Sequence, residues 1–129
     1  MERLELKYKD AQAALKTLED ILKEPYSAIV RDATIQRFEY TFEAFWKFVK
    51  EYLKEKEGLY ANSPKSCFRE LLSIGIASED EVFQLLEMTD RRNETSHTYK
   101  EKVAQNIYDK TKGFFLLMDK ILLGFCGKI

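Results

Sequence analysis

IQRFEYTFEAFWKFVKEY, residues Ile35 to Tyr52, sets Ile35, Phe38, Phe42, Phe45, Val49 and Tyr52 apart by steps of three and four. That spacing stacks all six on one stripe of an α-helix and suits no strand, whose faces alternate every second residue. The stripe follows the period of a buried helix face, so its aromatic rings read as core packing rather than a surface for stacking bases. Asp32 is placed to cap the start of this helix and Gly58 to stop it.

The pattern continues outward in both directions. Upstream, Leu4, Tyr8, Ala11, Leu15, Leu18 and Leu22 repeat the helical steps until Pro25 closes them off, leaving Lys7, Lys9, Lys16 and Glu19 toward solvent. Downstream, Ser63-Pro64 supplies a cap and a first-turn proline for a short helix through Phe68, Leu71 and Leu72 that ends near Gly75. Ser78 with Glu81 forms a capping box ahead of Val82, Leu85, Leu86 and Met88, and Thr98 with Glu101 reads as a second one. The last helix then turns Val103, Ile107, Phe114, Leu117, Met118 and Ile121 inward. The expected fold is all-α, an antiparallel four-helix up-and-down bundle with an additional short helix. With no internal repeat, low-complexity segment or linker, residues 1–129 read as a single helical domain.

Composition narrows the class. A chain of 129 residues with 45% hydrophobic and 33% charged residues is globular rather than disordered, and long enough to fold without disulfides or metal. No apolar run approaches the roughly 20 residues of a membrane span, and the charged start MERLELKYKD is no signal peptide, so a cytoplasmic location without membrane contact is expected. Cys67 and Cys126 stand far apart in sequence, each without a second cysteine or histidine at ligand spacing, and read as reduced thiols, Cys67 in the core. A net charge of −1 gives no global pull on nucleic acid. Any RNA contact then has to come from a local basic patch.

Chemistry concentrates in RNETSHTY, Arg92 to Tyr99, which holds the only histidine. An imidazole able to exchange a proton near neutrality, beside a guanidinium suited to phosphate, points to phosphate-ester chemistry or nucleotide binding. Five residues apart on one continuous helix, Arg92 and His97 would face about 140° apart, so they converge only if the helix ends between them. The second capping box makes His97 the residue before the last helix and Tyr99 the first inside it, where free backbone N–H groups favour an anion. Plainer readings stand beside this one. His97 could simply satisfy a carbonyl or face water, Arg92 could pair with Glu87, Asp90 or Glu94, and Tyr99 could close the core. Cutting RNA through its 2'-hydroxyl takes both a base and an acid. A two-fold dimer axis near the motif would supply two copies of each group.

Arg92, His97 and Tyr99, spaced as arginine, four residues, histidine, one residue and tyrosine, resemble the signature of the HEPN superfamily of helical proteins. Asn93 is the polar residue that often follows the arginine. Ile35 to Lys47, then SPKSCFREL, then DRRNETSHTY are together similar to its bacterial branch of nucleotidyltransferase substrate-binding proteins, a likeness running from the first helix to the last. The resemblance implies a HEPN-like homodimer paired with a cognate minimal nucleotidyltransferase, in several cases as toxin and antitoxin. The HEPN member is then a metal-independent ribonuclease that uses no cofactor, inhibited when its partner transfers AMP to the motif tyrosine. Carried over by position, Arg92 would hold the scissile phosphate, His97 would move the proton, Asn93 would orient the site and Tyr99 would accept AMP. Arg91 fits the same role at a spacing one residue longer; Arg92 is preferred because Asn93 follows it.

Two functions therefore follow from the sequence. One is a ribonuclease toxin; the alternative is a noncatalytic subunit that binds a nucleotide or substrate for its nucleotidyltransferase. A purely structural helical domain is a third. The chain has neither a Gly-rich phosphate loop nor a paired-aspartate nucleotidyltransferase signature, so it is not expected to transfer nucleotides itself. Glu79, Asp80 and Glu81 read as the favourable acidic first turn of a helix rather than a magnesium site.

Overall fold

A computed structural model describes residues 2–129, and all regular structure among them is helical. The order is α1 (Glu2–Leu22), α2 (Ala28–Tyr52) running into a π-helical turn (Leu53–Glu57), α3 (Pro64–Ser73), α4 (Glu79–Asn93), a 3₁₀ turn (Thr95–His97) and α5 (Glu101–Gly124). Cross-helix pairs give the directions: Arg3 of α1 meets Glu51 of α2, Arg31 of α2 meets Glu101 of α5, and Lys120 of α5 meets Glu81 of α4. Helices α1, α2, α4 and α5 are thus the antiparallel up-and-down bundle, with α3 the extra short helix.

The aromatic stripe of α2 is the spine of the core. Phe38, Phe42, Phe45, Phe48 and Val49 are essentially inaccessible, and Ile35 and Tyr52 nearly so. Their rings reach three neighbours: Phe38 stacks on Phe114 of α5 at 5.7 Å, Phe45 packs on Phe68 of α3 at 5.8 Å, and Phe48 and Tyr52 both meet Phe125. Cys67 joins this core, and its burial pushes the thiol pKa up to about 11.

Two capping expectations hold and two are overturned. Ser63 with Ser66, and Ser78 with Glu81, form the caps of α3 and α4. Asp32, by contrast, does not cap α2. The helix begins earlier, at Ala28 with Ser27 as its cap; the Ser27 hydroxyl accepts from the Val30 N–H, and Asp32 instead accepts from Arg31 Nε at 3.1 Å. Thr98 and Glu101 likewise form no capping box. Glu101 takes a two-pronged bond from the buried Arg31 (2.7 and 3.2 Å), and the Thr98 hydroxyl turns back to the Thr95 carbonyl. A charge-assisted pair spanning two helices outcompeted the local cap, and α5 starts at Lys100 without a side-chain cap. Tyr99 accordingly lies in the turn before α5 rather than inside it.

At the other end of α2, the π-turn closes on Gly58 at φ +67°, the left-handed conformation open to glycine. The stop expected there is borne out.

Candidate functional site

The corner between α4 and α5 carries the motif. Arg92 sits in the last turn of α4, and the 3₁₀ turn that follows separates it from His97, so the helix does end between them. The two side chains nonetheless leave in different directions. Arg92 crosses to α2, where Nη2 lies 3.4 Å from Glu43 and Nη1 3.8 Å from Glu39, while Nη1 also donates to the Thr95 hydroxyl at 2.8 Å. Thr95 is buried and its oxygen lies 2.8 Å from the Arg92 carbonyl and 3.2 Å from Glu39. Its single proton serves one of these at a time. Arg92 Nε is buried without an acceptor among the described residues, so the guanidinium keeps an unspent donor.

His97 stands exposed on the 3₁₀ turn, its backbone pinned by its N–H to the Glu94 carbonyl (2.9 Å) and its C=O to the Lys100 N–H (3.0 Å). The phenol of Tyr99 is 75% exposed, which removes the reading that it closes the core. Its ring lies edge-on to the imidazole at 6.0 Å between centroids, with Lys100 Nζ over it at 5.9 Å. Asn93 is exposed at the end of α4. The structure thus brings His97 and Tyr99 together and sets Arg92 apart, in a surface groove shared with Gln36, Glu39, Tyr40 and Glu43.

The surface-pair reading of Arg92 fails in its details. Arg91, not Arg92, pairs with Glu94, whereas Asp90 is taken by Lys65 and Glu87 by Lys110. Sequence reasoning missed Glu39 and Glu43. They lie four residues apart on one face of α2, a visible pair whose partner on α4 only the bundle reveals. In the acidic first turn of α4, Lys120 and the Ser78 cap hold the Glu81 carboxyl below its usual range. No group of three or more His, Cys, Asp or Glu side chains among the described residues is placed to hold a metal ion.

The fold and this corner define an all-helical bundle with an arginine, histidine and tyrosine motif at one helix junction. The chain belongs to the family described as nucleotidyltransferase substrate binding protein like, whose model matches residues 6–124. A crystal structure of a Thermus thermophilus protein is similar at 44% identity and TM-score 0.83, covering 87% of this chain and 95% of that one. A Haemophilus influenzae protein, described as revealing the fold of a substrate binding domain of a nucleotidyltransferase, matches with TM-score 0.65 at 22% identity, covering 94% and 95%. Among curated proteins nothing matches the chain. No helix among the described residues is long and apolar enough to cross a membrane.

Proposed function

We propose that the chain is the HEPN partner of a minimal nucleotidyltransferase, a homodimeric metal-independent ribonuclease of a toxin–antitoxin pair that its partner inhibits by transferring AMP to Tyr99. The observation that carries this reading is the shared exposed turn of His97 and Tyr99, with rings 6.0 Å apart. Nucleotide transfer needs an acceptor hydroxyl that another active site can reach, and the phenol of Tyr99 is 75% exposed. The Tyr99 oxygen attacks the α-phosphorus of ATP, the bond to the β-phosphate oxygen breaks, pyrophosphate leaves and the phenolic proton passes to a base of the partner. Magnesium and ATP belong to that partner.

An adenylate on Tyr99 places a bulky anion over the imidazole two residues away. It fills the space an RNA phosphate needs and repels the strand. In the ribonuclease reaction His97 moves the proton of the 2'-hydroxyl or of the leaving oxygen, and Arg92 holds the phosphate with Asn93 beside it. Each chain carries one histidine. A second His97 across a two-fold axis supplies the other half of the acid–base pair.

A second reading has its own support. Arg92 is already faced by Glu39 and Glu43, which suits a noncatalytic subunit that binds substrate for its nucleotidyltransferase. One experiment separates the two. Purified protein is incubated with cellular RNA in EDTA beside His97→Ala. Cleavage by the wild type alone, with a loss of about 10²–10⁴-fold in the variant, supports the ribonuclease; cleavage by neither, or equally by both, refutes it. Labelled ATP and the partner then test Tyr99, and continued labelling of Tyr99→Phe removes it as the sole acceptor.

A further inference from the structure

Five cations converge at one end of α2 in a chain whose net charge is −1. Arg3 and Lys7 of α1, with Lys47, Lys50 and Lys54 of α2 and its π-turn, line a cleft of about 360 Å³ closed on its far side by Leu59 to Asn62. The volume lies within the usual range of small-molecule sites, about 300–1,000 Å³. Lys54 owes its place to the π-turn, a helical distortion that recurs at functional sites, and Gly58 then folds the following strand of coil back as the outer wall.

Two aromatic side chains face the same space. The indole of Trp46 is half-buried beneath Lys50 Nζ at 5.8 Å, and Tyr60, 76% exposed, lines the same cleft. Cations interleaved with aromatic faces suit a phosphate attached to a flat, stackable base. The floor adds a third element. Glu51 is only 6% exposed; one carboxylate oxygen lies 3.2 Å from Arg3 Nε, and the other has no hydrogen-bond partner among the described residues. A buried acceptor left unpaired is unfavourable. Arg3, which covers it, is itself 70% exposed and free to swing aside for a ligand donor.

We propose that this cleft is a nucleotide-binding site, with the base between Trp46 and Tyr60, the phosphate on Lys47, Lys50 and Lys54, and a nucleoside hydroxyl or amino group directed at Glu51. The site is continuous with the motif corner through one residue: Glu43 accepts from Trp46 Nε1 at 3.0 Å and faces Arg92 at 3.4 Å. From residue 43 to residue 54 the helix rises about 16 Å. The ligand is either a free nucleotide or one nucleotide unit of an RNA strand laid along this face. The local basic patch that RNA contact demands of a near-neutral chain lies here, and the site does not depend on His97 being catalytic.

Trp46 is the only tryptophan, so the protein reports on its own cleft. Its emission is titrated with AMP, with a short oligoadenylate and with inorganic phosphate, all in the His97→Ala background so that cleavage of RNA, present or not, leaves the result untouched. Saturable quenching by AMP or the oligomer, with phosphate much weaker, is expected. Lys47→Glu with Lys54→Glu, both exposed, should weaken binding about tenfold or more, because two charges reverse within a Debye length of the phosphate. Tyr60→Ala, outside any helix, should weaken it about tenfold through lost stacking. AMP binding without the oligomer assigns a free nucleotide, and the oligomer without AMP assigns a strand. No saturable change with either, equal competition by phosphate, or full affinity in both sets of variants overturns the proposal.

Discussion

On the proposed role of Arg92 in holding an RNA phosphate, replacing Glu39 and Glu43 by glutamine should strengthen the binding of RNA. The two carboxylates lie 3.8 and 3.4 Å from Arg92, and all three side chains are roughly a third exposed. Ion pairs so open to water are each worth about 0.2–1 kcal/mol. Abolishing both therefore releases about 0.4–2 kcal/mol that a phosphate otherwise has to overcome, which is about 2- to 30-fold in affinity. The shorter pair to Glu43 should account for more than half of it. Glutamine retains an acceptor for Trp46 Nε1, so the packing of that indole survives the change. The assay is the anisotropy of a labelled oligoribonucleotide in the His97→Ala background, at low and at high salt. The gain should shrink near 1 M salt, where the Debye length is about 3 Å. Unchanged or weaker binding at low salt refutes the idea that these carboxylates compete with phosphate for Arg92.

Further expectations concern the scaffold. Phe68→Ala empties the contact with Phe42 and Phe45 and should cost about 3–5 kcal/mol, lowering the thermal midpoint by on the order of 10–20 °C, as followed by circular dichroism. Glu81 has its pKa lowered, by the Lys120 bond first and the Ser78 cap next. A depressed folded-state pKa means its stabilisation is complete above the unfolded value near 4.5 and is lost as pH falls through the folded value. Urea midpoints of wild type and Glu81→Gln should therefore differ at neutral pH and converge in acid; a constant gap would contradict the assignment. A thiol reagent at pH 8 should label Cys126, which is exposed, and leave Cys67, whose thiol is buried with its pKa at about 11. Mass spectrometry should show one adduct on the native protein and two after denaturation.

Most of the architecture was legible because it rests on periodicity. The α2 stripe, the caps at Ser63 and Ser78 and the stop at Gly58 are all local relations within a few residues, and each is present as expected. The misreadings have two causes. Asp32 lies inside a helix that Ser27 already caps, and Glu101 is drawn away from a box with Thr98 by Arg31, across the starts of α2 and α5. Nothing near residue 101 announces a partner 70 positions earlier.

The sequence alone determined that this chain is a helical bundle, because burying an apolar stripe depends on spacing that can be counted. It also placed Arg92, His97 and Tyr99 at one corner, since a helix end between residues 92 and 97 follows from the polar run there. Only the tertiary structure decided what each of them faces. Arg92 meets two carboxylates of α2, His97 and Tyr99 face solvent together, and the five cations around Trp46 gather from two helices. Long side chains choose partners by distance in space, and that distance exists only once the helices have packed.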